Sequence, residues 1–312
     1  MNEIYYSIII PHRNTPDLLQ YCLDSIPVRD DVQVIVVDDN SDAEKVDFEH
    51  FPKWRGKHFE YYLTKEGKGA GYARNVALDH AVGKWVMFVD ADDFLLPEAG
   101  DIFDKEKDTD ADMIYFRTKA VKLLDRETPA WWRGLLQNRM MDRYFATGDE
   151  TELRYELFTA TNRLIRREMI VKNHICFEEI QYSNDNLFAV KTGVNAGKIV
   201  VRDKSVYCIT WSGNTLTSNF MKKPGEVKIR AGAFFRTQDV LLQHGYPLTE
   251  HTALFWLCNL LTEDRQAFRM YFNRVRSIKG YKKTELIKKL FKGSGRKARI
   301  WRSIYAFVLT AF

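Results

Sequence analysis

The sequence predicts an α/β fold with a mostly parallel sheet covered on both faces. Three observations carry that prediction. Apolar runs at 5–10, 32–37 and 85–89 are continuous rather than alternating, as strands buried on both sides require. Segments of helical period stand between them, at 15–26 and 70–83. Each run ends in polar or acidic residues, so reactive side chains collect where such strands finish.

Taken in order, YYSIII (5–10) is a buried strand that stops at Pro11. In TPDLLQYCLDSI, Thr15 fits an N-cap and Pro16 the first helical position, with Leu18, Leu19, Cys22, Leu23 and Ile26 at helical spacing. VQVIVVDDNSD is a second strand running into acids and turn formers, and FEYYLTKEG a third. AGYARNVALDHAVG reads as a helix closed by Gly83. KWVMFVDADDF is a fourth strand. Another follows at 112–124, and 125–160 carries few signals beyond the pair Trp131–Trp132. TATNRLIRREMIVKN reads as a helix, ICFEEI as a short connection, and SNDNLFAVKTGVNAG as a helix ending between Gly193 and Gly197. KIVVRDKSVYCITW predicts a pair of strands leading into SGNTLTSNF, and the chain beyond Pro224 is helical. Nothing repeats. The organisation expected is a body over 1–220, with halves 1–110 and 111–220, and a basic helical region over 221–312.

The bulk numbers agree with a globular enzyme-sized body. The 312 residues are 45% hydrophobic and 29% charged, enough apolar material for a full core. No apolar stretch approaches the roughly 20 residues needed to span a bilayer. The opening MNEIYYSIIIPHRN lacks the basic and small-residue features of a signal peptide. Cys22, Cys176, Cys208 and Cys258 stand in no paired or metal-type spacing, which fits a reducing cytoplasm. The net charge of +5 hides an asymmetry. Residues 265–302 hold fourteen Lys or Arg and one acid, Glu285, leaving the rest of the chain acidic.

The stretch KWVMFVDADDFLLP (84–97) carries the chemistry. Asp90, Asp92 and Asp93 fall within four positions and repel one another, so they need a positive partner. Alternate residues of an extended segment point the same way, which lets Asp90 and Asp92 converge. Such carboxylates suit Mg²⁺ or Mn²⁺ shared with phosphate oxygens. Haloacid dehalogenase phosphatases also place Asp-x-Asp after a strand, but there the motif opens the chain and Gly-Thr follows; here Asp-Phe follows, near residue 90. GKGAGYAR brushes the dinucleotide fingerprint, yet Arg74 stands where a third glycine belongs.

Five ordered pieces carry a more specific likeness: SIIIPHRN, VIVVDDNSD, GAGYARNVALDHAVGKWVMFVDADD, then NRLIRREMI with ICFEEI and SNDNLF, and NTLTSN. Together they resemble the family 2 glycosyltransferases of the GT-A fold over the first 220 residues. The resemblance implies a GT-A nucleotide-diphospho-sugar transferase fold and a metal-dependent inverting transfer from a nucleotide-sugar, most simply a UDP-sugar. It assigns Asp39 to the nucleotide base with Asp38 beside it, and Pro11 and Arg13 to the wall of that pocket. It places Gly71, Arg74 and Ala91 with the donor. Asp90 faces ribose or sugar, Asp92 ligates the metal, Asp93 supports either, and Asp185 is the catalytic base. The pattern departs at Asn184, where Glu is usual, and in CITWSGNTLTSN, which lacks the arginine often found there; Lys65 or Lys68 would then neutralise phosphate. Capping sequence before LFAVKTGV offers Asp185 a purely structural role.

The basic region mixes Lys and Arg with Leu286, Ile287, Leu290 and Phe291 on one helical face, and the apolar end at 300–312 is too short to span. A basic amphipathic helix on an anionic membrane fits that pattern. No nucleic-acid recognition motif accompanies it. The resemblance adds a glycan or polyprenyl-linked oligosaccharide acceptor and a peripheral place at the inner face of the cell membrane. A binding module without catalysis, and a nucleic-acid-binding protein led by its tail, are the other two classes the sequence leaves open.

Overall fold

The structure, a computed structural model, describes residues 3–213 and 223–292. The chain divides into two compact units, Met1–Phe220 and Met221–Phe312.

The first unit runs β1 (Tyr6–His12), α1 (Pro16–Ser25), β2 (Val32–Asp39), β3 (His58–Thr64), α2 (Ala70–His80), β4 (Trp85–Phe88), β5 (Phe94–Leu95), α3 (Ala99–Glu106) and β6 (Met113–Lys122). A 3₁₀ turn (Trp131–Arg133), α4 (Leu135–Thr147), α5 (Thr151–Tyr155), β7 (Arg163–Arg166), α6 (Arg167–Lys172), α7 (Asn186–Asn195) and β8 (Ile199–Trp211) follow. The described strands form one sheet in the order β3-β2-β1-β4-β7-β6-β8-β5. β3, β2, β1 and β4 are mutually parallel, with Ile9 level with Ile35 and Phe88. β7 runs against its neighbours β4 and β6, and β8 runs parallel to β6.

Both faces of the parallel half are covered, which explains its unbroken apolar runs. Ile8 and Ile10 pack with Leu19 and Leu23 of α1. Ile9 and Val37 pack with Ala73 and Ala77 of α2 on the other side. Each such aliphatic side chain contributes about 1.5–3 kcal/mol when fully buried. All seven residues of β1 are buried, Pro11 and His12 included, so the strand runs past the proline expected to stop it.

Three local expectations are corrected. α2 ends at His80, and Ala81 leaves it in an extended conformation. Gly83 is instead a crossing point, since a Cβ there would lie 2.6 Å from the Ser7 nitrogen. TATNRLIRREMIVKN is strand first and helix second. Leu164 and Ile165 enter the two opposite cores, which only an extended backbone allows. The predicted strand pair at the end is one long strand, β8. Its register with β6 jumps from Phe116–Arg202 to Arg117–Ser205, so Asp203 and Lys204 form a bulge.

The second unit contains α8 (Glu226–Gln243), α9 (Glu250–Glu263), α10 (Arg265–Lys279) and α11 (Lys283–Lys292). Asp264 caps α10 by accepting from the Ala267 amide at 2.9 Å. Phe235, Leu257, Leu260 and Phe268 form its core, and Leu286, Ile287 and Leu290 are buried among them. The apolar face proposed for a membrane therefore points inward, while Arg265, Arg269, Lys282 and Lys288 are exposed. NTLTSN and the apolar end at 300–312 lie outside the described residues. Among the described residues no helix is long and apolar enough to cross a membrane.

Candidate active site

Parallel pairing brings the carboxyl ends of β1, β2 and β4 side by side, and the acids gather there. At the end of β2, successive residues face opposite ways. Asp38 is buried and holds the loops together: His12 Nδ1 stands 2.7 Å from its Oδ2, and the Ser41 amide and hydroxyl both donate to it at 2.7 Å. Burial works to raise the Asp38 pKa, but the His12 and Ser41 hydrogen bonds win and hold it below the usual range. Asp39 turns the other way. Its Oδ2 accepts from the Gly69 amide at 2.6 Å and lies 3.7 Å from Arg13 Nη1. Its Oδ1 is buried with no hydrogen-bond partner. Half of the Arg13 side chain is exposed, so this charge can move toward a ligand.

The Asp cluster after β4 is three residues with three environments. Asp90 Oδ1 accepts from Arg74 Nη2 at 2.6 Å. Ala91 is buried in the core. Asp92 opens to solvent and makes no ion pair with a described residue, while the protein packed around it and the Asp90 charge push its pKa up to about 6. Asp93 is buried: the Tyr207 hydroxyl donates to it at 2.5 Å and the Thr210 amide at 2.7 Å. Burial, then the charges of Asp92 and Asp90, drive its pKa well up. Asp93 thus faces β8 rather than the rim. The Thr210 hydroxyl also donates to the Asp92 carbonyl at 2.6 Å, tying the motif to the same strand.

That division bears on metal binding. Among the described residues no group of three His, Cys, Asp or Glu could hold an ion. Within the cluster, Asp92 offers the carboxylate that has no ion-pair partner among the described residues. One carboxylate fits a hard cation such as Mg²⁺ that takes its remaining ligands from phosphate and water.

Arg74 links the donor-side acids to the second half of the unit. Its Nη1 donates to Asn184 Oδ1 at 3.0 Å, and its guanidinium lies over the Phe177 ring at 5.2 Å. Asn75, one residue on, exchanges hydrogen bonds with the Phe177 backbone at 2.8 and 3.0 Å. Gly71 admits no side chain, because a Cβ would meet the Glu178 carbonyl at 2.2 Å. α2 therefore grips segment 177–184, which delivers Asp185. Asp185 occupies the N-cap position of α7, yet its side chain makes no capping hydrogen bond. Burial raises its pKa, with Arg74 opposing, Asp90 adding to the rise, and Arg163 opposing. Arg163 is fully buried against the Tyr115 ring and donates to the carbonyls of Leu157 and Thr159.

The rim thus unites Asp39, Asp90, Asp92, Arg74 and Asp185. Asp38 and Asp93 brace it, and Pro11, Gly71 and Ala91 act through backbone and packing. Lys68 lies 3.7 Å from Glu179 and 4.6 Å from the Tyr72 ring, while Lys65 is exposed. Asn184, Arg163, Tyr207 and Thr210 carry no local signal of their roles, since their partners stand far away in sequence. Trp132 packs edge-on against Trp211 at 5.3 Å, and Trp131 remains largely exposed.

A parallel half with acids at its strand ends, joined to a mixed half that supplies a facing carboxylate, is the GT-A nucleotide-diphospho-sugar transferase fold. The family model described as Glycosyl transferase family 2 matches residues 7–172, more than half of the chain, and the chain belongs to that family. Among curated relatives, the poly(ribitol-phosphate) beta-N-acetylglucosaminyltransferase TarS of Staphylococcus aureus is 29% identical over 221 residues, 66% of this chain and 35% of that protein. The chain spans about a third of the length of that relative. The crystal structure of TarS 1–349 with UDP-GlcNAc shares the fold at a TM-score of 0.56 and 22% identity, covering 88% of this chain and 73% of that one. The mannosyltransferase PcManGT of Pyrobaculum calidifontis, solved with GDP-Man and Mn²⁺, shares it at 0.52 and 17% identity, covering 100% and 86%.

Proposed function

We propose that this chain is a metal-dependent, inverting glycosyltransferase that moves a hexose from a UDP-sugar to a glycan or polyprenyl-linked oligosaccharide. The observation that carries the reading is Asp185: a carboxylate at the start of α7 that makes no capping hydrogen bond, next to Asn184, which Arg74 joins to Asp90. The UDP-GlcNAc complex of TarS supports the choice of nucleotide. Asp39 Oδ1, buried and unpaired, is suited to accept a hydrogen bond from the base. Asp92 would hold Mg²⁺ or Mn²⁺, which supplies positive charge against the diphosphate. Asp185 takes the proton of the acceptor hydroxyl as that oxygen attacks the anomeric carbon. The anomeric C–O bond breaks, its electron pair leaves on the diphosphate, and one displacement inverts the configuration.

Nucleotide release from UDP-, GDP- and dTDP-sugars, with Mn²⁺, Mg²⁺ or chelator, tests this reading. Metal-dependent release from one UDP-sugar is expected, lost in Asp92→Asn. Asp185→Asn should keep donor binding and lose transfer. Near-normal transfer by Asp185→Asn would remove the base assignment. No metal-dependent binding of any nucleotide by the wild-type chain would leave the non-catalytic module in its place.

The exposed basic residues of α10 and α11 support an anionic membrane surface as a partner, by charge rather than by insertion, because the apolar face of α11 is core. Sedimentation of the whole chain with anionic but not zwitterionic vesicles, reversed by salt, is the expected result. Binding that favours DNA or RNA over those vesicles would reverse it.

A further inference from the structure

The rim holds more acid than base, and most of its basic groups are committed. Arg74 serves Asp90 and Asn184, Arg163 serves backbone carbonyls, and Lys68 stands beside Glu179. Arg133 differs. Its Nε is buried without a hydrogen-bond partner, and its guanidinium makes no hydrogen bond or ion pair with a described residue. A desolvated guanidinium N–H without an acceptor is unfavourable and calls for an anion.

The position of Arg133 is built. The segment before it hangs from β6, where the Ala130 amide donates to the Ala120 carbonyl at 2.8 Å. The Arg133 amide closes the 3₁₀ turn on the Ala130 carbonyl at 2.9 Å. Gly134 then passes so close to Thr118 that a Cβ would lie 3.0 Å from its side chain. Trp132 packs on Trp211, the residue after Thr210, whose hydroxyl holds the Asp92 carbonyl. A short chain of contacts thus runs from the Asp92 carbonyl through Thr210, Trp211 and Trp132 to the turn that carries Arg133.

We propose that Arg133 is the cation that binds the diphosphate of the nucleotide-sugar, presented at the Asp92 rim by the Trp132–Trp211 contact. This rests on the donor reading above. A planar guanidinium offers two parallel N–H donors to phosphate oxygens, which an ammonium cannot match. A nucleoside diphosphate would satisfy the unpaired Nε, and the guanidinium would offset part of the diphosphate charge beside the acids of the rim.

The test is titration of the full chain with UDP and with uridine, at constant Mn²⁺, for wild type, Arg133→Ala and Arg133→Lys. Arg133→Ala should weaken UDP binding by roughly 10- to 100-fold and leave uridine binding unchanged. Arg133→Lys should fall between, keeping charge but not the fork, and it decides the matter should the alanine variant not fold. Unchanged UDP affinity, or equal weakening of UDP and uridine, overturns the proposal and leaves the donor reading intact. A wild-type chain that binds neither compound overturns both.

Discussion

Arg74 Nη2 stands 2.6 Å from Asp90 Oδ1, with the arginine buried and the aspartate half open to solvent. This pair gives one of the three crowded aspartates a positive partner. The same guanidinium reaches Asn184, so one side chain joins residues 110 positions apart. Removing Arg74 leaves Asp90 uncompensated. Arg74→Ala should cost about 1–3 kcal/mol, between the values for exposed and buried pairs. In a double-mutant cycle with Asp90→Asn, denaturant unfolding should show that the two losses do not add. A coupling energy near zero would mean that the contact does not neutralise the cluster.

Asp93 should matter for stability more than for chemistry. Asp93→Ala leaves the Tyr207 hydroxyl and Thr210 amide unpaired in the core and should cost about 2–4 kcal/mol. Asp93→Asn keeps the shape and should cost far less. A raised folded pKa favours the protonated form. The stability it contributes is full below the unfolded value of about 3.9 and is lost as pH rises through the folded pKa. Thermal melts across pH should show a shallower loss toward neutral pH in Asp93→Asn than in wild type.

Gly71→Ala tests whether α2 positions the base. The added methyl would meet the Glu178 carbonyl, a backbone atom that cannot turn aside. A cost of about 2–3 kcal/mol is expected, at the upper end for an inserted carbon. Transfer should fall further than nucleotide binding, because segment 177–184 carries Asp185. Wild-type melting and wild-type turnover would show that this contact yields easily.

The acid limb of the rate profile should belong to Asp185. A base must be deprotonated, so turnover falls as pH drops through its pKa, which burial raises above the usual aspartate value. Asn184→Asp adds a negative charge beside it and should move the limb to higher pH by about 0.5–1 unit. A limb that stays in place would assign the proton to another group.

Much of this was open to reading in the chain itself. Continuous apolar runs at β1, β2 and β4 demand burial on both faces, and that demand alone implies a largely parallel sheet with its acids along one edge. Order and spacing of PHRN, DDNSD and DADD are local, so they survive without knowledge of contacts. Where local patterns compete with the sheet, the sheet prevailed. Leu164 and Ile165 look helical but fill opposite cores as strand.

Which aspartate does what was decided only by tertiary structure. Asp38 and Asp39, like Asp92 and Asp93, are adjacent and chemically identical, yet one of each pair is tied into the fold and the other is left for the rim. Which one turns in depends on partners elsewhere in the chain: His12 and Ser41 for Asp38, Tyr207 and Thr210 for Asp93. Arg133 has no spacing rule to mark it, since the contacts that bring it to the rim pass through Trp211 and Thr210, nearly eighty residues later. Period and composition are properties of neighbours along the chain. The charge a carboxylate feels is a property of neighbours in space, and only folding determines those.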